Sequence, residues 1–265
     1  MRARLVGVEA ITLDFGNTLV PVSRANLRLV VERTAADAAS RLGPFSVESF
    51  LGVWGEERER QFREEVPAFR EVDLADRFVR VLARLRGMEA PDPAGRWDDG
   101  AARRLSEPAE VEWGVEAYSR AFVELIPRPP AVGPLLERLA AGRVLAVLSN
   151  WPLAATIDRY LDAAGWATYF RAVVVSQRVG TIKPHPAIFA AAVAAIGSPR
   201  PDRVLHVGDD WAADVVGAKR AGWRVAYLTG GGDDSPLPSS DRDDTVRPDL
   251  EIAALEELEA SLPSP

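Results

Sequence analysis

Four short stretches of this 265-residue chain hold groups that could do chemistry, and each follows an apolar run. "LDFGNTLV" delivers a carboxylate, Asp14, and then Gly16, Asn17 and Thr18. "VLSN" ends in Ser149 and Asn150. "RVGTIKPHP" puts Lys183 in a loop before a helix that Pro186 could open. "HVGDDWAAD" offers Asp209 and Asp210 side by side, with Asp214 one turn further on. Alone, each fragment is ordinary: a strand-end Asp is more often a turn or cap residue than a nucleophile. Together they form a set of carboxylates that must repel one another unless a cation or a lysine offsets them.

The elements that carry these groups are legible from hydrophobic patterning. "VEAITLD", "RVLAVLSN", "AVVVS", "RVLHVGDD" and "RVAYLTG" are short, continuously apolar runs ending in small or polar residues. Such runs predict strands buried on both faces, as in a parallel sheet. "LAATIDRYLDAAG", "PAIFAAAVAAIG" and "AADVVGAKRAG" are helical patterns that separate the last four runs, and each closes on glycine. The alternation predicts an α/β fold with a doubly wound parallel sheet, whose ligands bind at the carboxyl ends of the strands. More than a hundred residues part Asp14 from Ser149, and most of them read as helix. Stripes run from Leu27 to Leu42 after a Ser23 cap, from Leu74 to Leu85, and from Val111 to Leu125, with a loop at "GMEAPDPAGRWDDG". The expected organisation is therefore an α/β core over residues 1–22 and 129–265, with a helical domain over 23–128 inserted after the first strand. "TGGGDDSPLPSSDRDDT" reads as a mobile loop before a short last strand and a closing helix.

Composition narrows the function classes. With 47% hydrophobic and 27% charged residues the chain is ordinary globular material. A net charge of -7 argues against a non-specific grip on nucleic acid or on an anionic membrane. There is no cysteine, which removes disulfides, thiolate metal sites and a Cys nucleophile. No apolar segment approaches the roughly 20 residues of a membrane span, and Glu9 and Asp14 interrupt the N-terminal run too early for a signal peptide. A cytoplasmic protein is expected, with its oligomeric state open.

The order and wording of the four fragments resemble the haloacid dehalogenase superfamily, most of whose members are phosphatases. The helical insertion falls where one large branch of that superfamily carries a cap domain. The resemblance implies that Asp14 attacks phosphorus and forms an aspartyl-phosphate. It implies Mg²⁺ held by Asp14, the Gly16 carbonyl and Asp209, supported by Asp210 or Asp214, a hard cation suited to oxygen ligands. Ser149 would hydrogen-bond a phosphoryl oxygen and Lys183 would neutralise charge on the transferring group. Thr18, in support of the turn, and Asn150 join these two as substrate-binding residues, and Asp214 would anchor Lys183.

One position departs from that pattern. The superfamily's phosphatases carry a second aspartate two residues after the first, which protonates the leaving group and later activates water. Gly16 keeps the carbonyl that a metal needs and lacks the acid, whose help is typically worth about 10²–10⁴-fold. The expected function is thus a Mg²⁺-dependent phosphohydrolase of a small phosphorylated metabolite, slowed by Gly16. A catalytically degenerate member that binds metal and phosphate, or a protein partner, is the rival. A haloacid dehalogenase ranks third, because dehalogenases need no metal and lack the "GDD" wording. A phosphonatase would need an insertion lysine, and residues 23–128 contain none. His185 could stand in for the missing acid or simply shape its loop. His206 reads as a packed core residue, and Trp54, Trp97 and Trp113 as helix packing or a pocket lining.

Overall fold

The computed structural model describes residues 5–92, 95–230, 240–243 and 245–263. In chain order its strands and helices are β1 (Ala10–Leu13), α1 (Arg24–Leu42), α2 (Val47–Glu65), α3 (Leu74–Leu85), α4 (Asp99–Arg103) and α5 (Pro108–Leu125). Next come α6 (Val132–Ala140), β2 (Val144–Ser149), α7 (Ala154–Ala164), β3 (Phe170–Val175), α8 (Ser176–Val179) and α9 (Pro186–Ala195). The chain closes with β4 (Val204–Gly208), a π-helical turn over Trp211–Val216, α10 (Gly217–Arg220), β5 (Arg224–Leu228), β6 (Leu250–Ile252) and α11 (Leu258–Ser261).

The strands form one sheet in the order β3-β2-β1-β4-β5-β6, and every neighbouring pair is parallel. Side chains alternate between two buried faces. Ile11, Leu13, Val147 and Val207 join one apolar cluster, and Ala10, Ala146, Leu148 and Val225 join the other. Burial on both sides is what makes the strands read as unbroken apolar runs. The register sets Leu13 opposite Val147 on one side and Val207 on the other. The residues that follow, Asp14, Ser149 and Asp209, therefore emerge along the same sheet edge.

The helices between β1 and β2 follow local signals. Ser23, Ser46, Asp73 and Asp98 each accept a backbone N–H at the start of a helix. The long charged helix α2 was not among the expected stripes, because "EERERQFREE" shows no apolar period. It buries polar side chains, Glu57, Arg60 and Gln61, against its neighbours. Of the loop expected to be mobile, 231–239 and 244 lie outside the described residues. Ser240 donates its N–H to Asp210 Oδ2 at 2.8 Å.

The helices between β1 and β2 meet the rest of the fold in an aromatic cluster. Phe15, next to Asp14, packs edge-on to Trp151 and Tyr160, with ring centroids 5.7 and 5.4 Å away. Phe122 of α5 lies 5.1 Å from Trp151 and 6.3 Å from Phe15. Phe122 is wholly buried, so Phe122→Ala is expected to destabilise the protein by about 3–5 kcal/mol. The shift of the guanidinium unfolding midpoint checks this; a loss under about 1 kcal/mol would mean that the cluster does not join the two parts.

Candidate active site

The end of β1 presents Asp14 with its N–H bound to the Val207 carbonyl at 2.9 Å. Its Oδ1 accepts the Phe15 N–H at 2.7 Å and lies 3.2 Å from Lys183 Nζ. The next residues make a tight turn in which Asn17, not Gly16, takes the left-handed conformation, with φ of 55°. Asn17 Oδ1 closes the turn by accepting the Val22 N–H at 3.0 Å. Gly16 lines the cavity above and is not among the residues with positive φ, so the left-handed region does not demand glycine there.

Lys183 arrives from the loop after α8. Its ammonium donates to the Leu148 carbonyl at 2.9 Å and to Asp214 Oδ1 at 2.6 Å. Asp214 in turn lies 2.9 Å from His206 Nε2 and accepts the Asp210 N–H on its other oxygen at 2.9 Å. His206 Nδ1 meets the Thr12 hydroxyl at 2.8 Å, so this histidine is the packed core residue expected. Asp214 holds Lys183, as the sequence implied. Burial works to raise the Asp214 pKa, but Lys183 and the His206 hydrogen bond hold it well below the carboxylate range. Burial likewise works to discharge Lys183, and Asp14 and Asp214 overcome it and keep the ammonium charged.

The remaining carboxylates are less well compensated. Burial, partly offset by Lys183, raises the Asp14 pKa. Asp209 is pushed up to about 8 by burial and by the charges of Asp14 and Asp214. Oxygen atoms of Asp14, Asp209 and Asp214 lie within 4.8 Å of one another. Such a cluster, all oxygen and short of positive charge, fits a hard divalent cation.

Several expected site residues take other roles. Asp210, expected to support the metal, instead accepts the Ala213 N–H at 2.6 Å and the Ser240 hydroxyl at 3.0 Å on Oδ1. With Ser240 N–H on its other oxygen, its carboxylate caps the π-helical turn. Asn150, expected at the substrate, clamps the Lys183 peptide: it donates to the Lys183 carbonyl at 3.1 Å and accepts the Lys183 N–H at 2.7 Å. Thr18 is nearest to Asp209, its hydroxyl 3.4 Å from Oδ1. Ser149 was expected to donate to a phosphoryl oxygen. Its buried hydroxyl sits near enough to Asp14 to draw that group's pKa down, yet no partner meets hydrogen-bond geometry, and we take it as an uncommitted donor. His185 accepts the Ala187 N–H at 3.3 Å as the cap of α9 and does not line the cavity. Trp97 packs away from it on Glu57, at 2.9 Å, whereas Trp54 lines it.

Above this floor lies a cavity of about 790 Å³ whose far side is built by α1, α2, α3 and α5. The pattern search missed the groups there: Arg58, Arg77 and Glu71. Glu71 is held by the Ser176 hydroxyl and by its neighbour Val72 N–H at 3.0 Å. Burial pushes its pKa up to about 6. Only a carboxylate's position in three dimensions could have flagged it, since it stands in a charged, unpatterned stretch.

Comparison with known proteins agrees with this geometry. The family model described as haloacid dehalogenase-like hydrolase matches residues 8–222. A glyceraldehyde 3-phosphate phosphatase of Methanopyrus kandleri is 30% identical over 211 residues, covering 77% of this chain and 87% of its own. A pyrimidine 5'-nucleotidase of Escherichia coli is 29% identical, covering 63% and 70%. Among solved structures, a 2-haloacid dehalogenase from Pseudomonas syringae superposes with a TM-score of 0.64 at 24% identity, covering 96% and 97%, a likeness of fold alone.

Glu71 also sets a pH dependence. Because its folded pKa lies above the ordinary value of 4.5, the stability it contributes is complete below about pH 4.5 and is lost as pH rises through about 6. Glu71→Gln is expected to melt higher than the parent at about pH 7.5, by up to about 2 kcal/mol, and to match it near pH 4.5. Parallel melting curves at both pH values would overturn the assignment.

With its strand ends, lysine and carboxylates arranged in this way, the chain belongs to the haloacid dehalogenase-like hydrolases, in their phosphatase-like branch.

Proposed function

We propose that this protein is a Mg²⁺-dependent phosphohydrolase of a small phosphorylated metabolite, with Asp14 as the nucleophile and residues 23–128 as a cap over it. The observation that supports this most directly is the meeting of Asp14, Asp209 and the charged Lys183 at one sheet edge. Relatives named as phosphatases of glyceraldehyde 3-phosphate, phosphoserine and phosphoglycolate point to the same substrate class.

Asp14, Asp209 and the Gly16 carbonyl would hold the ion, and Asp214, committed to Lys183, would stay behind them. Bound there, Mg²⁺ would neutralise charge on the phosphoryl oxygens. Asp14 attacks phosphorus, and the bond to the leaving oxygen breaks as the aspartyl-phosphate forms. Lys183 and the uncommitted Ser149 hydroxyl donate to the phosphoryl group as it moves. Water then attacks phosphorus, releasing inorganic phosphate and restoring Asp14. Gly16 gives no proton to the departing oxygen, so leaving groups that depart as stable anions are favoured. A degenerate, binding-only member is the second reading, and the lack of an acid at Gly16 favours it.

Hydrolysis of p-nitrophenyl phosphate separates the two. Turnover is expected with Mg²⁺, and is expected to vanish with EDTA and in Asp14→Asn. No turnover in folded protein would leave the binding-only reading. If Gly16 is the bottleneck, Gly16→Asp should speed hydrolysis of alkyl phosphates by about 10²–10⁴-fold and change p-nitrophenyl phosphate little. An equal effect on both would mean that the acid is supplied elsewhere.

A further inference from the structure

Three arginines of α3, Arg77, Arg80 and Arg84, fall on one face of the helix, at i, i+3 and i+7. Two of them meet acids across the helix pair. Arg80 pairs with Glu64 at 3.0 Å and Asp99 at 3.2 Å. Arg84 pairs with Glu57 at 3.0 Å and Glu56 at 2.6 Å. Arg77 meets a neutral amide instead: its Nε donates to Gln61 Oε1 at 2.8 Å. Its Nη2 has no hydrogen-bond partner, and among the described residues no ion pair reaches it.

Arg77 is only 4% exposed and its guanidinium lies over the Trp54 ring, 5.2 Å from the centroid. Burial lowers its pKa to about 10, which leaves it charged at neutral pH. Two acids act on it from a distance without pairing: Glu71, bonded to the neutral Ser176 hydroxyl, and Glu59, paired with Arg58 at 2.6 Å. A buried cation without a direct ion-pair partner is costly unless something supplies one. Arg77 lines the same cavity as Asp14, beside Arg58, Phe62 and Tyr118. The floor of the cavity is acidic and the opposite wall basic.

We infer that Arg77 is the anchor of a second anion site, so that the substrate carries a second negative group, a carboxylate or another phosphate, besides the phosphoryl group at Asp14. This rests on the phosphohydrolase reading for the first anion and adds what the far end of the molecule must be. Gln61 is the positioning residue: it orients the guanidinium and leaves its charge unspent.

The test measures binding by calorimetry with Mg²⁺ present, using non-hydrolysable alkyl phosphonates of graded length. They end in a carboxylate, a second phosphonate or a neutral hydroxyl. At one length, a charged end is expected to bind about tenfold or more tighter than the hydroxyl, and the better of the two names the second group. Gln61→Glu adds an acid where Arg77 already has a partner, and it should bring that ratio to about one, as should Arg77→Met. Equal binding of all three ends at every length overturns the inference, and so does a ratio that survives both variants. The wild-type ratio decides even if a variant fails to fold. Turnover of p-nitrophenyl phosphate, assayed beside it, reports separately on the phosphohydrolase reading.

Discussion

Four carboxylates crowd the ends of neighbouring strands, and the one ammonium that sits among them, Lys183 Nζ, makes the crowding tolerable. It is buried, touches Asp14 and Asp214, and is held in place by the Leu148 carbonyl. A buried ion pair contributes little net stability, since desolvation offsets the attraction, but losing one member strands the others. Much of the surrounding structure serves this lysine. Asn150 fixes its peptide with two hydrogen bonds, and His206 and the Asp210 N–H orient its acid partner. The chain from Thr12 through His206 and Asp214 to Lys183 and Asp14 links β1, β4, the π-helical turn and the loop after α8 into one unit.

That unit demands a close approach of backbone. A methyl group at Gly208 would lie 2.2 Å from the Asp214 carboxyl carbon, so the strand end must be bare for the acid to fold over it. On the other side of the cavity, charge is handled differently. Along one face of α3, Arg80 and Arg84 each meet two acids, whereas Arg77 meets the neutral Gln61. Floor and wall thus carry opposite imbalances, which suits a ligand that is anionic at both ends and bridged to the floor by a cation.

Much of this was legible in the chain. The strands fell where continuous apolar runs placed them, because burial on both faces leaves that signature. The helix stops at Gly165 and Gly222 follow from positive φ, 72° and 78°, which glycine adopts without strain. Asp14, Ser149 and Asp209 stand out in the sequence because they end strands, and Lys183 because its loop runs into a helix opened by Pro186. Helix α2 was missed since, beyond Phe50 and Trp54, the residues it buries are polar. Asp210 was expected at the metal and Asn150 at the substrate because spacing tells that a side chain reaches the sheet edge, not which way it then turns. Arg77 had no signal at all, since its meaning lies in what a residue sixteen positions away fails to provide.

The ladder between α2 and α3 has a consequence for how this enzyme could change over time. Of the three arginines on that face, Arg77 alone lines the cavity, and Gln61 opposite it leaves its charge unpaired; neither residue belongs to the sheet. Exchanging an amide for an acid, or the reverse, would redraw the list of acceptable molecules while the machinery that breaks the bond stays as it is. Diversification of substrate would then require neither loss of an ancestral reaction nor repair of a damaged core. Novelty could accumulate on one wall, one neutral step at a time.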